Sequence, residues 1–159
     1  MEEMVTADVG HYRVLRRMRD RLGSSALLVC GEVDTDPPSP VFRDLVNAGL
    51  IDGYQPDIVV AGFSRWQRLE EWLKPTGVKA QPRNFGNANF GTRAAMVFGA
   101  ASPTFLMLED ERYLPNVYAP DDVSFTDGAY SVPSGLGLGL VIDTDLYHRK
   151  YAGYEVRVE

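Results

Sequence analysis

Four polar positions stand just beyond apolar, strand-like runs: Glu32, Asp57, Arg83 with Asn84, and Glu109. Each follows a different run. Where parallel strands close into a barrel, the loops at their carboxyl ends converge, and side chains distant in sequence meet there. Several acids at one mouth repel each other unless a cation neutralises them, and hard carboxylate oxygens suit Mg²⁺. The alternative reading of the same residues is ordinary loop carboxylates in water. Arg83 stays protonated to about pH 12, so it is no base at neutral pH, although it can bind a carboxylate bidentately.

The elements that must position these residues alternate. Tyr12, Leu15, Met18 and Leu22 recur every three or four residues, which predicts an amphipathic helix from Asp8 to a stop at Gly23. Residues 26–30 form an apolar strand that ends at Gly31-Glu32. Ser39-Pro40 is an N-cap and first turn for a helix whose face is Val41, Phe42, Leu45 and Val46, closed by Gly49. Residues 53–60 form an extended segment carrying Asp57. Ser64 caps the next helix, with Trp66, Leu69 and Leu73 on its inner face. A short extended segment over 78–82 and a polar loop over 84–91 follow. A helix over 90–101 presents Phe90, Ala94, Val97, Phe98 and Ala101 to the core, and 104–108 is a strand ending at Glu109. Strict alternation with short connections predicts an α/β fold with a parallel sheet. A doubly wound sheet and part of a (β/α) barrel both fit. From Glu111 the character changes, with an irregular excursion over 113–128 and a terminal strand or short helix.

Composition narrows the function classes. The 159 residues make one domain, with 45% apolar and 24% charged residues. A net charge of −6 and a pI near 4.9 argue against a nucleic-acid surface. The basic cluster 13–21 reads as a solvated helix face. No apolar run approaches the roughly 18–20 residues of a membrane span, and Met-Glu-Glu at the start is not a signal peptide. The single cysteine, Cys30, sits in an apolar run as a packing residue and fits a reducing cytoplasm. Gly135-Leu-Gly-Leu-Gly139 leads into the strand-like Leu140-Val-Ile-Asp143 rather than a helix, so it is not a dinucleotide fingerprint.

Order and wording now carry a resemblance. Glu2-Glu3, Gly31-Glu32, Tyr54-Gln-Pro-Asp-Ile58 with Ala61-Gly62, Pro82-Arg-Asn84, the run 103–109, and Asp127-Gly128 with Pro133-Ser-Gly-Leu-Gly-Leu-Gly-Leu-Val-Ile-Asp143 follow one another. Together they resemble the C-terminal part of the enolase superfamily, of the mandelate racemase and acid-sugar dehydratase kind. The resemblance covers essentially the whole chain. It implies a partial (β/α) TIM-type barrel, strands five to eight over residues 1–110, followed by a C-terminal segment over 111–159 that packs on the barrel or on a capping domain.

The implied chemistry is abstraction of a proton α to a carboxylate, with Mg²⁺ stabilising the enediolate. By resemblance Glu2 and Glu32 are metal ligands, Asp57 orients a histidine base, and Glu109 is a hydrogen-bonding group near the substrate carboxylate. Three departures follow. Glu2 has only Met1 before it, so its strand is missing. Strands one to three and the capping domain are absent, with the third metal acid and the lysine base. Arg83 stands where the family has histidine, while His11 and His148 read as surface residues. Two functions are therefore expected. One is the C-terminal part of a Mg²⁺-dependent acid-sugar dehydratase or racemase, inactive as an isolated chain. The other is a non-catalytic remnant or interaction subunit of the same origin. A flavodoxin-like binding domain is a third. Half a barrel exposes strand edges, so the expected partners are the missing N-terminal half or a second copy, with a small acid-sugar substrate if active. No nucleic acid or membrane partner is expected.

Overall fold

The computed structural model describes residues 11–34, 37–119 and 123–154. Glu2, expected as a metal ligand, lies outside the described residues. The chain is a mixed α/β fold. Three short parallel strands, β1 (Val29–Cys30), β2 (Gly53–Tyr54) and β3 (Lys79–Ala80), lie side by side in sequence order. A parallel bridge from Ala80 to Phe105 adds the expected fourth extended segment at the far edge of β3. Between them run α2 (Pro40–Asn47), α3 (Ile58–Leu73) and α4 (Ala88–Ala101), with α1 (His11–Leu22) before β1. Strand–helix alternation thus holds through Phe105.

The core lies between sheet and helices. It gathers Leu28 and Cys30, Phe42, Leu45 and Val46 of α2, Tyr54, Trp66, Leu69 and Leu73 of α3, Ala80, and Phe98 of α4. Trp66 and Phe98 pack with ring centroids 5.2 Å apart, and Tyr54 meets the Trp72 edge at 5.6 Å. Burying a large apolar side chain contributes about 1.5–3 kcal/mol, so this inner stripe holds the helices on the sheet. Leu15 carries the α1 face into the core, with Met18 and Leu22 partly buried beside it. Tyr12, expected on that face, stays at the surface. The basic residues of α1 are mostly solvated, as expected. Arg19 is the exception, pairing with Asp52 at 2.7 Å.

Several boundaries differ from the sequence expectation, each for a local reason. The extended segment expected to Val60 stops at Asp57. The Asp57 carboxylate accepts hydrogen bonds from the Val59 and Val60 N–H groups at 2.8 and 2.9 Å, starting α3 at Ile58 despite three β-branched residues there. The helix is broken once, at Gly62 (φ 71°, ψ 168°). Ser64 lies within that span, two residues after the break, where the second helical stretch begins near the start expected from sequence. Ser39 holds the N-cap position of α2, but its hydroxyl makes no capping bond, and Pro40 sets the first turn instead. In α4 the buried face includes Gly91, Thr92, Ala95 and Met96, while Phe90 and Ala101 face outward. The small residue Gly91 lets this helix sit close to Asn84, which a pattern of large apolar residues does not register. The excursion expected over 113–128 runs into an antiparallel hairpin, β4 (Phe125–Thr126) and β5 (Ala129–Tyr130), joined by the turn Asp127-Gly128. α5 (Thr144–Tyr151) supplies the terminal helix, capped by Asp143.

Gly31 is required by its surroundings. Its φ is +110°, and a Cβ there would lie 2.7 Å from the Tyr54 ring. Gly31→Ala should cost about 1–3 kcal/mol from backbone strain plus the clash, read as a lowered urea midpoint with an unchanged m-value.

The hairpin is tied down by a charge cluster. Arg112 bonds Asp110 through Nε at 3.0 Å and Nη2 at 3.1 Å and stacks 4.3 Å from the Tyr130 ring centroid, while the Tyr130 hydroxyl donates to Asp110. Burial pushes the Asp110 carboxyl up, but its bonds from Arg112 and Tyr130 outweigh this and hold it below its usual 3.8. Burial and Asp110 raise the Tyr130 phenol above 10.0. A depressed carboxyl stabilises the fold above its unfolded value and loses that contribution as pH falls through the folded one. Acid unfolding followed by circular dichroism should therefore lose part of its slope below pH 3.8 in Asp110→Asn, which should also be less stable than the unmodified chain at pH 7.

Candidate functional site

The parallel register determines which side chains meet. Gly53 pairs with Lys79, Tyr54 with Ala80, and Asp57 with Arg83, all at the same offset, so β2 and β3 stay in step to the ends of their extended segments. The backbones confirm it: Arg83 N–H donates to Pro56 O at 3.2 Å, and Ile58 N–H to Arg83 O at 2.9 Å. Arg83 thus lies beside Asp57. Val29 pairs with Gly53 and Cys30 with Tyr54, which sets Glu32 on the other flank.

One guanidinium connects the two acids. Arg83 Nη2 forms an ion pair with Glu32 Oε1, and Nη1 lies 4.0 Å from Asp57 Oδ2. The Arg83 and Glu32 side chains keep only 17% and 23% of their exposure, so the pair is shielded more than a surface salt bridge. The Phe85 ring stands 4.8 Å from the guanidinium carbon, a cation–π contact. Beside them opens a cleft of about 190 Å³ lined by Glu32, Val33, Asp34, Asp57, Val60, Ala61, Arg65 and Arg83.

The loops carrying these groups are pinned. Tyr54, buried in β2, donates its hydroxyl to Asp34 Oδ2 at 2.6 Å, and the Asp34 carboxylate also accepts from Ser39 N–H at 3.2 Å. That fixes the turn holding Glu32. On the other side Glu109 accepts from Asn84 N–H at 2.8 Å. Glu111 accepts from Gly86 N–H at 3.0 Å and Asn87 N–H at 3.1 Å. The Asn84 amide donates to Thr92 Oγ1 at 3.0 Å, a seat open only because Gly91 lacks the Cβ that would lie 1.8 Å from Asn84 Oδ1. Beneath the site Gln81 Nε2 donates to Gln55 Oε1 at 3.2 Å, both buried.

Of the residues selected from sequence, the fold brings Glu32, Asp57 and Arg83 together. It sets Glu109 against the Asn84 backbone, one residue from Arg83. His148 lies exposed on α5. The sequence reading missed Gln55, Gln81, Thr92 and Glu111. The Gln-Pro dipeptide before both Asp57 and Arg83 signals their matching register. A buried Glu111 two residues past Glu109 carries no comparable signal.

The described residues do not fit a Mg²⁺ ion. The Glu32 carboxylate is engaged by a fixed cation, and no group of three or more His, Cys, Asp or Glu that could hold a metal occurs among the described residues. In this structure the Glu32 carboxylate, expected as a metal ligand, is paired with Arg83. None of the helices among the described residues is long and apolar enough to cross a membrane.

Removing the Glu111 carboxylate should loosen the loop that carries Arg83. Glu111→Gln should speed hydrogen exchange at the Gly86 and Asn87 amides while leaving that of the Leu69 amide unchanged, and Glu111→Ala should cost about 1–3 kcal/mol in chemical denaturation.

Comparisons with known proteins identify the family and the fold. A family model described as enolase C-terminal domain-like matches residues 1–146. Solved structures share the fold. A galacturonate dehydratase from a Geobacillus species, solved with D-galacturonate and 5-keto-4-deoxy-D-galacturonate, is 28% identical with a TM-score of 0.73, covering 91% of this chain and 38% of its own. A mandelate racemase/muconate lactonizing protein from a Geobacillus species, solved with magnesium and tartrate, is 27% identical with a TM-score of 0.74, covering 96% of this chain and 39% of its own. A 3,6-anhydro-D-galactonate cycloisomerase from Zobellia galactanivorans is 23% identical with a TM-score of 0.70, covering 92% of this chain and 41% of its own. This chain spans about two-fifths of the length of these proteins. No curated protein matches it.

Proposed function

The chain belongs to the enolase C-terminal domain-like family, and from that premise we propose that it is the C-terminal barrel portion of an acid-sugar dehydratase or racemase type of protein that does not itself abstract a proton. On this reading β1, β2, β3 and the segment at Phe105 are strands five to eight of a (β/α) barrel, and residues 111–159 form a segment that packs on it. Leu138, which packs on the core, supports the second point, while bonds within the segment, Asp143 N–H to Val117 O and Ala119 N–H to Val141 O, both at 2.8 Å, tie its two ends together.

The observation that carries the reading is the guanidinium between Glu32 and Asp57. An α-proton beside a carboxylate is lost only to a base within reach, with the enediolate charge stabilised. Arg83, like any arginine side chain, offers only donors and is no base at neutral pH. Its charge is already committed to Glu32, and Asp57 is committed to capping α3. The buried, free Cys30 suits a reducing compartment such as the cytoplasm.

A second reading keeps catalysis but shares it. The 28% identity to a galacturonate dehydratase over 91% of the chain supports a role as one half of a lyase, completed by a second polypeptide or a second copy. In either case no nucleic acid or membrane is engaged, and the partner is protein.

Proton NMR in D₂O distinguishes the readings. The isolated chain, with D-galacturonate and 5 to 10 mM Mg²⁺ (an order-of-magnitude excess over a typical weak site), should show no α-proton exchange above the buffer rate. Arg83→His alone should add none. Exchange by the unmodified isolated chain would overturn the non-catalytic reading. Exchange that appears only when the N-terminal part of a dehydratase relative is added would favour the shared one.

A further inference from the structure

The cation at the strand ends is part of the chain. We propose that Arg83 is the resident cation of this site: its guanidinium, lodged between Glu32 and Asp57, supplies the positive charge these carboxylates require and excludes a divalent metal ion from Glu32. The proposal deepens the functional reading above through the same pair of contacts, but it is tested by metal binding, whereas α-proton exchange tests that reading.

Three features make the guanidinium a fitted group. It is placed by strand register, since Asp57 and Arg83 form a bridge and Arg83 donates and accepts backbone bonds on both sides of it. Its loop is held from the next segments by Glu109 on Asn84 N–H and by Glu111 on Gly86 and Asn87 N–H. Its face is covered by Phe85, which excludes water from one side and strengthens the attraction to the acids. A guanidinium held this way loses little freedom on pairing, unlike a mobile surface arginine.

A divalent ion approaching Glu32 meets this charge directly. To reach the Glu32 oxygen it must break the Arg83 ion pair, and the displaced guanidinium stays nearby because its backbone is fixed. Like charges at that separation repel strongly in a half-buried setting. The other two acids of the cleft offer no alternative, since Asp34 is engaged by the Tyr54 hydroxyl and the Ser39 N–H, and Asp57 by the Val59 and Val60 N–H groups with Arg83 beside it. Arg65, which also lines the cleft, adds a second positive group. A ligand entering the cleft therefore meets guanidinium N–H donors where a metal site would present a Lewis acid.

The test is Mn²⁺ binding to the full 159-residue chain, followed by water-proton relaxation and electron paramagnetic resonance. R83Q should bind Mn²⁺ at least about tenfold more tightly than the unmodified chain, because one full charge has left the site. The gain should disappear in the R83Q/E32Q double variant, and R83K, which keeps the charge, should behave as the unmodified chain. Equal affinity in the unmodified chain and R83Q, including no binding by either, overturns the proposal. So does a gain that survives E32Q. Should R83Q fail to fold, E32Q tests the pairing in a chain that keeps Arg83 and all its backbone bonds. Its Tm should fall by about 2–4 °C, and an unchanged Tm overturns the proposal equally.

Discussion

Parallel register is the constraint on which the site depends. The named strands are two residues long each, yet they fix partners well beyond their own ends. Gly53 with Lys79 and Asp57 with Arg83 share one offset, so no bulge or slip intervenes between them. Side chains alternate between the faces of a sheet, so a slip of one residue would turn Arg83 away from both acids and put Pro82 in its place. The charge pair and the register therefore support each other. The guanidinium rewards the correct pairing electrostatically, and the backbone bonds from Arg83 to Pro56 and from Ile58 to Arg83 hold it there.

Several acids among the described residues act as acceptors for backbone N–H groups. Asp57 starts a helix, Asp34 fixes a turn through Ser39, Glu109 and Glu111 anchor the loop after β3, and Asp143 starts α5. Loops at the carboxyl end of parallel strands leave N–H groups without ladder partners, and a buried unpaired N–H costs about 1–3 kcal/mol. Carboxylates meet that demand strongly because the bonds are charge-assisted. An acid placed just after a strand is thus as well suited to building a loop as to binding a ligand, and sequence alone does not separate the two uses. Glu109 shows the overlap: it stands beside the site, and it accepts from the Asn84 N–H that follows Arg83.

Much of the frame was legible in the chain. Trp66, Leu69 and Leu73 at helical spacing gave the inner face of α3, Phe42, Leu45 and Val46 that of α2, and alternation gave the parallel order, because burial of an apolar stripe is a local signal. Errors clustered where small or polar residues decide. Asp57 overrode the β-branched Ile58-Val59-Val60 because a satisfied cap outweighs a weak strand preference. In α4, Ala94 and Phe98 face the core as the pattern indicates, but Phe90 and Ala101 do not, because Gly91 and Thr92, which let the helix approach Asn84, are nearly silent in a hydrophobic pattern. The members of the site could be named from strand ends, but not their bonding. Whether Glu32 meets a metal or an arginine depends on where the Arg83 side chain points, which only the register reveals.

A tethered guanidinium and a bound metal ion satisfy carboxylates on different terms. A divalent ion must be taken from water at a cost that only several convergent oxygen ligands offset, and those ligands have to be brought in from several strands. An arginine arrives with the fold, needs one well-placed carboxylate, and spreads its charge over a plane that a second acid can share at longer range, as Asp57 does at 4.0 Å. The strands described satisfy the arginine's requirements by themselves. Neutralising the acids from within also removes the self-repulsion that would otherwise oppose closing the loops over the strand ends. Arg83 is therefore the residue through which the fold holds Glu32 and Asp57 together at the strand ends.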